Sequence, residues 1–192
     1  KIAGEEVFMA AYRKNGFPIT IVRPSHTYGN GWIPTPFGSA EFTVAQRMLD
    51  GKEVVVPGDG QSIWTLTHSS DFAKGLCGLL CNRRAVGEVF HITRDELLTW
   101  DTIYMTIGEA LEVHPKILHI PSDYIVERYP DWEGNLLGDK TNSAIFDNTK
   151  IKRFVPDFLC RVPFSVGIKQ SIRWLEANPG RKSINTGTEH RL

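Results

Sequence analysis

The apolar positions of this chain follow two spacings, one typical of helices and one typical of strands. Apolar residues recur at helical spacing over residues 1–14, 40–49, 71–80, 99–111, 122–128 and 163–177. Short β-branched or alternating runs predict strands over residues 19–22, 54–56, 63–68, 88–93 and 116–120. Residues 130–145 are polar and predict no regular element. Because strands alternate with helices, we expect an α/β fold.

The first predicted strand ends in a polar loop. This loop runs from Arg23 to Gly29, and a stretch rich in Gly, Pro and aromatic residues extends it to Gly38. In open α/β sheets, ligands bind just beyond the carboxyl ends of the strands, and loops of this length often have a function. The loop is therefore the first candidate site.

Charge and apolar content exclude several classes of protein. Lys plus Arg and Asp plus Glu both number 22, so the net charge is zero. This balance argues against a dedicated nucleic-acid or anionic-membrane binder. No run of about 18 apolar residues exists, so we expect no membrane span and a cytoplasmic protein.

The three cysteines lack zinc spacing, so we expect buried thiols and no metal site.

A set of short motifs occurs in a fixed order along most of the chain. They are Lys1 with Glu5, Arg23-Pro24 with Tyr28-Gly29, Pro57-Gly58-Asp59-Gly60, and Asp71-Phe72-Ala73-Lys74-Gly75, followed by residues 87–93 and 146–150. In this order the motifs resemble the extended short-chain dehydrogenase/reductase family, which is the NAD-dependent epimerase/dehydratase group. The resemblance implies NAD or NADP as cofactor.

The resemblance implies a role for Lys1. It matches the Lys of the family's Tyr-x-x-x-Lys pair, so Lys1 is implied to be catalytic and cofactor-binding. The Tyr would precede Lys1 by four residues, outside this sequence, as would the Gly-rich dinucleotide turn. A Tyr with a pKa near 10 is a poor base at neutral pH, and a neighbouring ammonium lowers that pKa. A solvated terminal lysine is the alternative, but the spacing to Arg23 favours the catalytic role.

The same resemblance assigns the polar loop. Pro24 and Ser25 would lie against the nicotinamide, and His26 would contact both cofactor and substrate, with Tyr28 also on the substrate side. Arg23 is expected to anchor the loop. For His26 the alternative, a packed histidine bonded to backbone, stays open.

Trp64 marks a departure from the family pattern. It falls where sugar-nucleotide enzymes of the family carry a phosphate-binding Arg, and a Trp cannot neutralise a diphosphate. Trp64 could stack on a substrate ring or fill the core. We therefore expect a sugar or nucleotide-sugar-like substrate, with the nucleoside diphosphate in doubt. The run from Trp64 to His68 also resembles an atypical branch that includes the chloroplast stem-loop-binding proteins.

The resemblance implies a division of the chain. Residues 1–30 would end the dinucleotide-binding domain, to which residues 64–93 return. Residues 31–63 and 94–177 would form a small mixed α/β substrate-binding domain, and residues 178–192 are expected to be a disordered tail. The fold class is thus the C-terminal βα pieces of a Rossmann-type NAD(P)-binding sheet plus that second domain.

Three functions follow as hypotheses. In the first, the chain is part of an epimerase, dehydratase or reductase that uses transient or net hydride transfer. The enzyme would form a homodimer, and this chain would be inactive without the N-terminal cofactor half. The second is an RNA-binding or regulatory module that reuses the fold, against which the zero net charge counts. The third is a structural dimerisation module.

Overall fold

The computed structural model describes residues 1–38 and 41–184, in which helices and short strands alternate. The helices are α1 (Ile2–Asn15), α2 (Thr43–Leu49), α3 (Ser69–Leu79), α4 (Trp100–Ala110), α5 (Ser122–Arg128), α6 (Glu133–Asn135), α7 (Thr149–Phe154) and α8 (Phe164–Ala177). The strands are β1 (Ile21–Pro24), β2 (His26–Tyr28), β3 (Glu53–Pro57), β4 (Ile63–Trp64), β5 (Leu66–His68), β6 (Val89–Ile92), β7 (Leu98–Thr99) and β8 (Lys116–Ile120). The α/β class predicted from the alternation is confirmed.

The strands pair in twos, and most pairs are parallel. In the described part of the chain, β1 pairs with β6, β2 with β5, and β3 with β8, all parallel, whereas β4 pairs with β7 antiparallel. Parallel pairing between distant segments brings the carboxyl ends of β1 and β6 to one edge. The loop after β1 lies at that edge, which fixes where a site can form.

The first strand differs from its prediction. It spans Ile21–Pro24 instead of residues 19–22, because its register follows β6, with Ile21 opposite Val89 and Pro24 opposite Ile92. Ile21 is buried but Arg23 and Pro24 are exposed, so this strand is not covered along its whole length as the apolar run suggested. The polar site loop thus begins inside the strand.

The predicted strand over residues 63–68 is two strands. It changes partner at Thr65, whose hydroxyl donates to the carbonyl of Ala144 over 2.9 Å. The alternation of apolar and polar residues that predicted the strand continues past Thr65. The sequence pattern therefore gives no sign of the change of partner. The segment predicted to be irregular also contains short helical turns, including a π-helical turn over Leu136–Lys140.

Two apolar clusters contain most of the buried apolar side chains of the described residues. One is built around Tyr28, Trp64 and Trp100 with the inner faces of α4 and α8. The other joins Phe90 and Ile92 of β6 to α3 and to residues 151–158. Residues 151–158, which the prediction assigned to the substrate-binding part, therefore pack beside the β1–β6 pair.

Helix α1 carries an uncovered apolar face. None of its residues is buried, and Ile2, Val7 and Phe8 are all exposed by about half or more. The helix is held instead by polar and aromatic contacts, since Tyr12 packs against Gly87. The predicted apolar stripe exists, but no described part of the chain covers it.

Three further predictions are resolved by the structure. Cys77 and Cys81 are exposed and Cys160 is half-buried, so the prediction of buried thiols is wrong for the first two, which lie at the end of α3. Residues 179–181 form a 3-10 turn, and Ser183 accepts a hydrogen bond from the Phe42 amide, whereas residues 185–192 of the predicted tail lie outside the described residues. None of the described helices is long and apolar enough to span a bilayer.

Candidate functional site

A polar groove of about 400 Å³ opens at the carboxyl end of β1. Its lining comes from the start of α1, the β1–β2 connection, β4 and the segment after α6. The lining residues are Lys1, Pro24, Ser25, His26, Trp64, Thr65, Asp139, Lys140, Ala144 and Phe146. Apart from Tyr28, every residue that the sequence predicted for the site lies in this groove.

An ion pair sets the position of Lys1. Arg23 of β1 donates from Nε to both carboxylate oxygens of Glu5, over 2.9 and 3.1 Å, and Nη2 also contacts Glu5. Glu5 lies one turn after Lys1 in α1, and its amide donates to the Lys1 carbonyl over 3.1 Å. This contact fixes the first turn of α1 beside β1.

Ser25 is held by a short chain of hydrogen bonds. Its hydroxyl lies 2.8 Å from the hydroxyl of Thr67 in β5, which accepts the amide N–H of Arg94 over 2.9 Å. This chain connects the loop after β1 to the loop after β6. The Ser25 side chain therefore has a defined orientation at the groove wall.

His26 is surrounded by protein although part of its ring is open to the groove. Its Nδ1 accepts a hydrogen bond from Trp64 Nε1 over 3.3 Å. Burial, aided by the nearby Lys140 ammonium, lowers the pKa of His26 to about 4. The ring is consequently neutral at pH 7. Of the two alternatives left by the sequence, bonding to the backbone does not occur, since the partner is a side chain.

Trp64 lies in the groove wall and is only 6% exposed. Its ring stacks on Trp100, with 5.6 Å between centroids and 26° between planes, and the Lys140 ammonium lies 4.4 Å from its centroid. The stack on Trp100 belongs to the larger apolar cluster. The core-filling alternative therefore describes most of this side chain, and its N–H edge is the part directed at His26.

Tyr28 does not line the groove. It is 2% exposed and makes edge contacts with His68 and Phe164 at 5.3 and 5.5 Å between centroids. Its hydroxyl has no hydrogen-bond partner among the described residues, and burial raises the pKa of this phenol above its ordinary value. Tyr28 supports β2 from inside the fold, so its position does not fit the predicted substrate contact.

Sequence reasoning missed Thr67, Asp139 and Lys140. Thr67 lies within a predicted strand, where an alternating polar residue is unremarkable. Lys140 and Asp139 form an ion pair in a segment predicted to be irregular, far in sequence from Lys1, the loop after β1 and Trp64. No local signal identifies them, because only folding brings that segment beside β4.

Two larger grooves, each about 660 Å³, flank the β1–β6 pair. One is lined by β1 with the residues just before it and by the end of α3 with the turn that follows, and the other by α1 with Arg23 and Val89. Neither brings together the loop residues after β1. The smaller groove is thus the candidate site.

Comparison with known proteins supports the motif assignment. Residues 1–93 match the model of the NAD dependent epimerase/dehydratase family. The resemblance seen in the sequence is therefore confirmed.

Three curated relatives match between about half and nearly all of the chain. It is 30% identical over 177 residues to a dTDP-glucose 4,6-dehydratase of Actinoplanes, covering 92% of this chain and 50% of the relative. It is 25% identical over 170 residues to a UDP-N-acetyl-alpha-D-glucosaminuronate decarboxylase of Bacillus cytotoxicus, covering 88% and 50%. It is also 28% identical over 108 residues to the chloroplast stem-loop binding protein of 41 kDa b of Arabidopsis thaliana, covering 56% and 28%.

Solved structures of family enzymes share the fold. A UDP-glucose 4-epimerase of Thermotoga maritima superposes with a TM-score of 0.72 at 21% identity, covering 93% of this chain and 52% of that one. A UDP-glucuronic acid 4-epimerase of Bacillus cereus, solved with UDP-glucuronic acid and NAD, gives 0.73 at 19% identity, covering 93% and 51%. The chain spans about half the length of these structures and at most half the length of the curated relatives above.

Proposed function

We propose that this chain is the C-terminal part of an NAD(P)-dependent epimerase/dehydratase-type oxidoreductase that acts on a sugar or nucleotide-sugar-like substrate. One observation supports this most directly. Lys1, Pro24, Ser25 and His26, which the family resemblance assigns to cofactor and substrate, line one groove although they lie on different elements. The match of residues 1–93 to the family model supports the same proposal.

The groove fits the nicotinamide end of the cofactor. Lys1 is exposed at its edge as an ammonium donor, and the Ser25 hydroxyl supplies a second polar group for a ribose or carboxamide. NAD would supply the hydride acceptor or donor for the reaction. Lys1 would hold ribose hydroxyls and lower the pKa of a tyrosine that this sequence does not contain, while Pro24 and Ser25 would fix the ring's orientation.

The two larger grooves support an additional cofactor half. Parallel sheets are normally extended and covered on both faces, whereas β1 pairs with only one described strand. The apolar groove on the α3 side and the groove beside α1 would be filled by further strands and helices of a dinucleotide-binding half. Without that half the chain would be inactive.

The charges of the groove favour a hydroxylated ring over a diphosphate near Trp64. Lys140 is paired with Asp139, so its charge is largely balanced. His26 is neutral at pH 7 because of its low pKa, and it can form a hydrogen bond with a sugar hydroxyl or carbonyl oxygen. A sugar ring would therefore lie between His26 and the nicotinamide.

The test uses the protein extended by its dinucleotide-binding half. We expect it to bind NAD(H) and to show hydride transfer, monitored by nicotinamide absorbance, with free sugars or nucleotide sugars. Lys1→Met should lower kcat at least about 100-fold, since the reacting tyrosine would lose the cation that lowers its pKa. Lys14→Met, at the far exposed end of α1, is the matched control and should leave activity unchanged. Absence of NAD(H) binding would refute the proposal.

Similarity to the Arabidopsis stem-loop binding protein supports a second candidate, an RNA-binding module. The zero net charge makes tight binding to phosphates unfavourable. Under the oxidoreductase proposal, a labelled RNA stem-loop should bind weakly and lose that binding as salt rises, while NAD(H) binding persists. Tight RNA binding without NAD(H) binding would favour the second candidate.

The apolar face of α1 supports a homodimer. Ile2, Val7 and Phe8 together expose a surface that a second copy of α1 could cover. Sedimentation velocity at two protein concentrations should show a dimer that Val7→Glu dissociates. An unchanged sedimentation coefficient in this variant would argue against this interface.

A further inference from the structure

The two ring nitrogens of His26 have different surroundings. Trp64 Nε1 lies 3.3 Å from His26 Nδ1. An indole N–H can only donate a hydrogen bond, so Nδ1 accepts it and carries no proton. A neutral imidazole then carries its proton on Nε2. That nitrogen has no hydrogen-bond partner in residues 1–38 and 41–184, and it is not fully enclosed.

The indole ring that makes this contact is tightly held. Trp64 stacks on Trp100, and the Trp100 N–H donates to the Lys140 carbonyl over 3.1 Å. The Lys140 ammonium in turn lies over the Trp64 ring. The backbone of Trp64 is fixed opposite Leu98 in the β4–β7 pair. The orientation of the indole N–H is thus set by packing on several sides.

Burial and the nearby charges together keep the ring of His26 neutral. Burial and the Lys140 ammonium both disfavour the imidazolium, whereas Asp139 favours it and is outweighed. At pH 7 the ring therefore exists as a neutral tautomer, and its hydrogen bonds determine which one.

We propose that Trp64 is a positioning residue that holds His26 as its Nε2–H tautomer, so that the ring presents a fixed hydrogen-bond donor to the groove. The proposal rests on the proposed function only in taking the groove as the substrate site. A sugar carbonyl or hydroxyl oxygen is the acceptor that this donor suits. A ligand group that can only donate, such as an ammonium, would find no acceptor on His26.

The tautomer can be measured directly in the ¹⁵N-labelled 192-residue chain at pH 7 without any ligand. Nuclear magnetic resonance should show an unprotonated Nδ1 and a protonated Nε2 for His26, with His26→Asn used to assign the signals. It should also show a scalar coupling across the hydrogen bond between Trp64 Nε1 and His26 Nδ1. A protonated Nδ1, or the absence of this coupling, would overturn the proposal.

Variants separate positioning from simple packing. Trp64→Phe keeps an aromatic ring but has no N–H, so the coupling should be lost and the pKa of His26 should rise, because a donor to the neutral ring is removed. Replacement of Trp64 by benzothienylalanine keeps the bicyclic shape without the N–H and covers the case in which the Phe variant fails to fold. Trp32→Phe, at an exposed tryptophan, is the control and should change neither property.

An unchanged Nδ1 signal and pKa in a folded Trp64 variant would overturn the positioning role. None of these measurements needs cofactor or substrate. If the extended protein fails to bind NAD(H) while the tautomer and coupling are observed, the proposed function fails and the role of Trp64 stands.

Discussion

Arg23 and Glu5 form a bidentate ion pair that joins β1 to the first turn of α1, one turn after Lys1. The pair lowers the pKa of Glu5, chiefly through the hydrogen bond from Arg23. Both side chains are partly open to solvent, so salt screens their attraction. The contact therefore contributes more to the placement of Lys1 than to overall stability.

Glu5→Gln should loosen this placement. We expect a small fall in the urea midpoint that is larger at low salt than at high salt, because the lost interaction is a screened charge pair. Urea unfolding followed by circular dichroism at two NaCl concentrations measures it. Glu6→Gln, at the exposed neighbouring position of α1, is the control and should show no comparable salt dependence.

His26 should make stability depend on pH. Its pKa is about 4 in the folded chain and near 6.5 in an unfolded one, so the unfolded state binds the proton more tightly. The contribution of neutral His26 to the free energy of unfolding is fully present above about pH 6.5. It is lost as the pH falls towards 4, which should lower the free energy of unfolding by roughly 1–3 kcal/mol. Urea unfolding at a series of pH values should show this loss in the natural chain.

His26→Gln removes the titrating group and should flatten the curve between pH 6.5 and 4. A His26 variant with the same slope as the natural chain over this range would contradict the assignment. The amide of Gln can still accept from Trp64, so gross refolding of the groove is not expected.

Gly167 of α8 has no room for a side chain. A Cβ there would overlap the Tyr28 hydroxyl and lie 2.9 Å from its Cζ and 3.1 Å from His68 Cδ2. Gly167→Ala should therefore destabilise the fold by about 1–3 kcal/mol, as overpacking does. Urea unfolding measures the change. Gly4→Ala, where a Cβ on α1 meets nothing within 4 Å, should instead be stabilising by about 0.5–1 kcal/mol.

Tyr28→Phe tests the same contact from the other side. Its hydroxyl is buried without a partner among the described residues, so its removal should be neutral or stabilising. Combined with Gly167→Ala, it should recover part of the loss in a double-mutant cycle. Strict additivity of the two changes would show that they do not meet.

Asn148 joins the end of β6 to α7. Its amide donates to the Thr93 carbonyl over 2.6 Å and to Asp95 over 3.0 Å, and its oxygen accepts from the Thr93 amide over 3.2 Å. Because Asn148 is 2% exposed, Asn148→Ala leaves these groups unpaired and should cost about 1–3 kcal/mol. The exposed Asn30→Ala should cost under about 0.5 kcal/mol in the same urea assay.

Much of the fold follows from the sequence pattern. Most helices, and strands such as β3, β6 and β8, lie close to where periodicity placed them, because apolar spacing reports which side of an element is buried. The motif order also identified the family and the loop after β1. These signals are local or depend on spacing along the chain, so one sequence contains them in full.

Tertiary structure decided the rest. The break at Thr65, the burial of Tyr28 and the arrival of Lys140 beside Trp64 all depend on segments that are distant in the chain. A side chain's exposure is set by what packs on it, and periodicity cannot name that partner. From the sequence, Lys1, Pro24, Ser25 and His26 are predicted to belong to one candidate site. Only the folded chain showed that the indole N–H of Trp64 bonds to His26, because that contact joins two strands from different pairs.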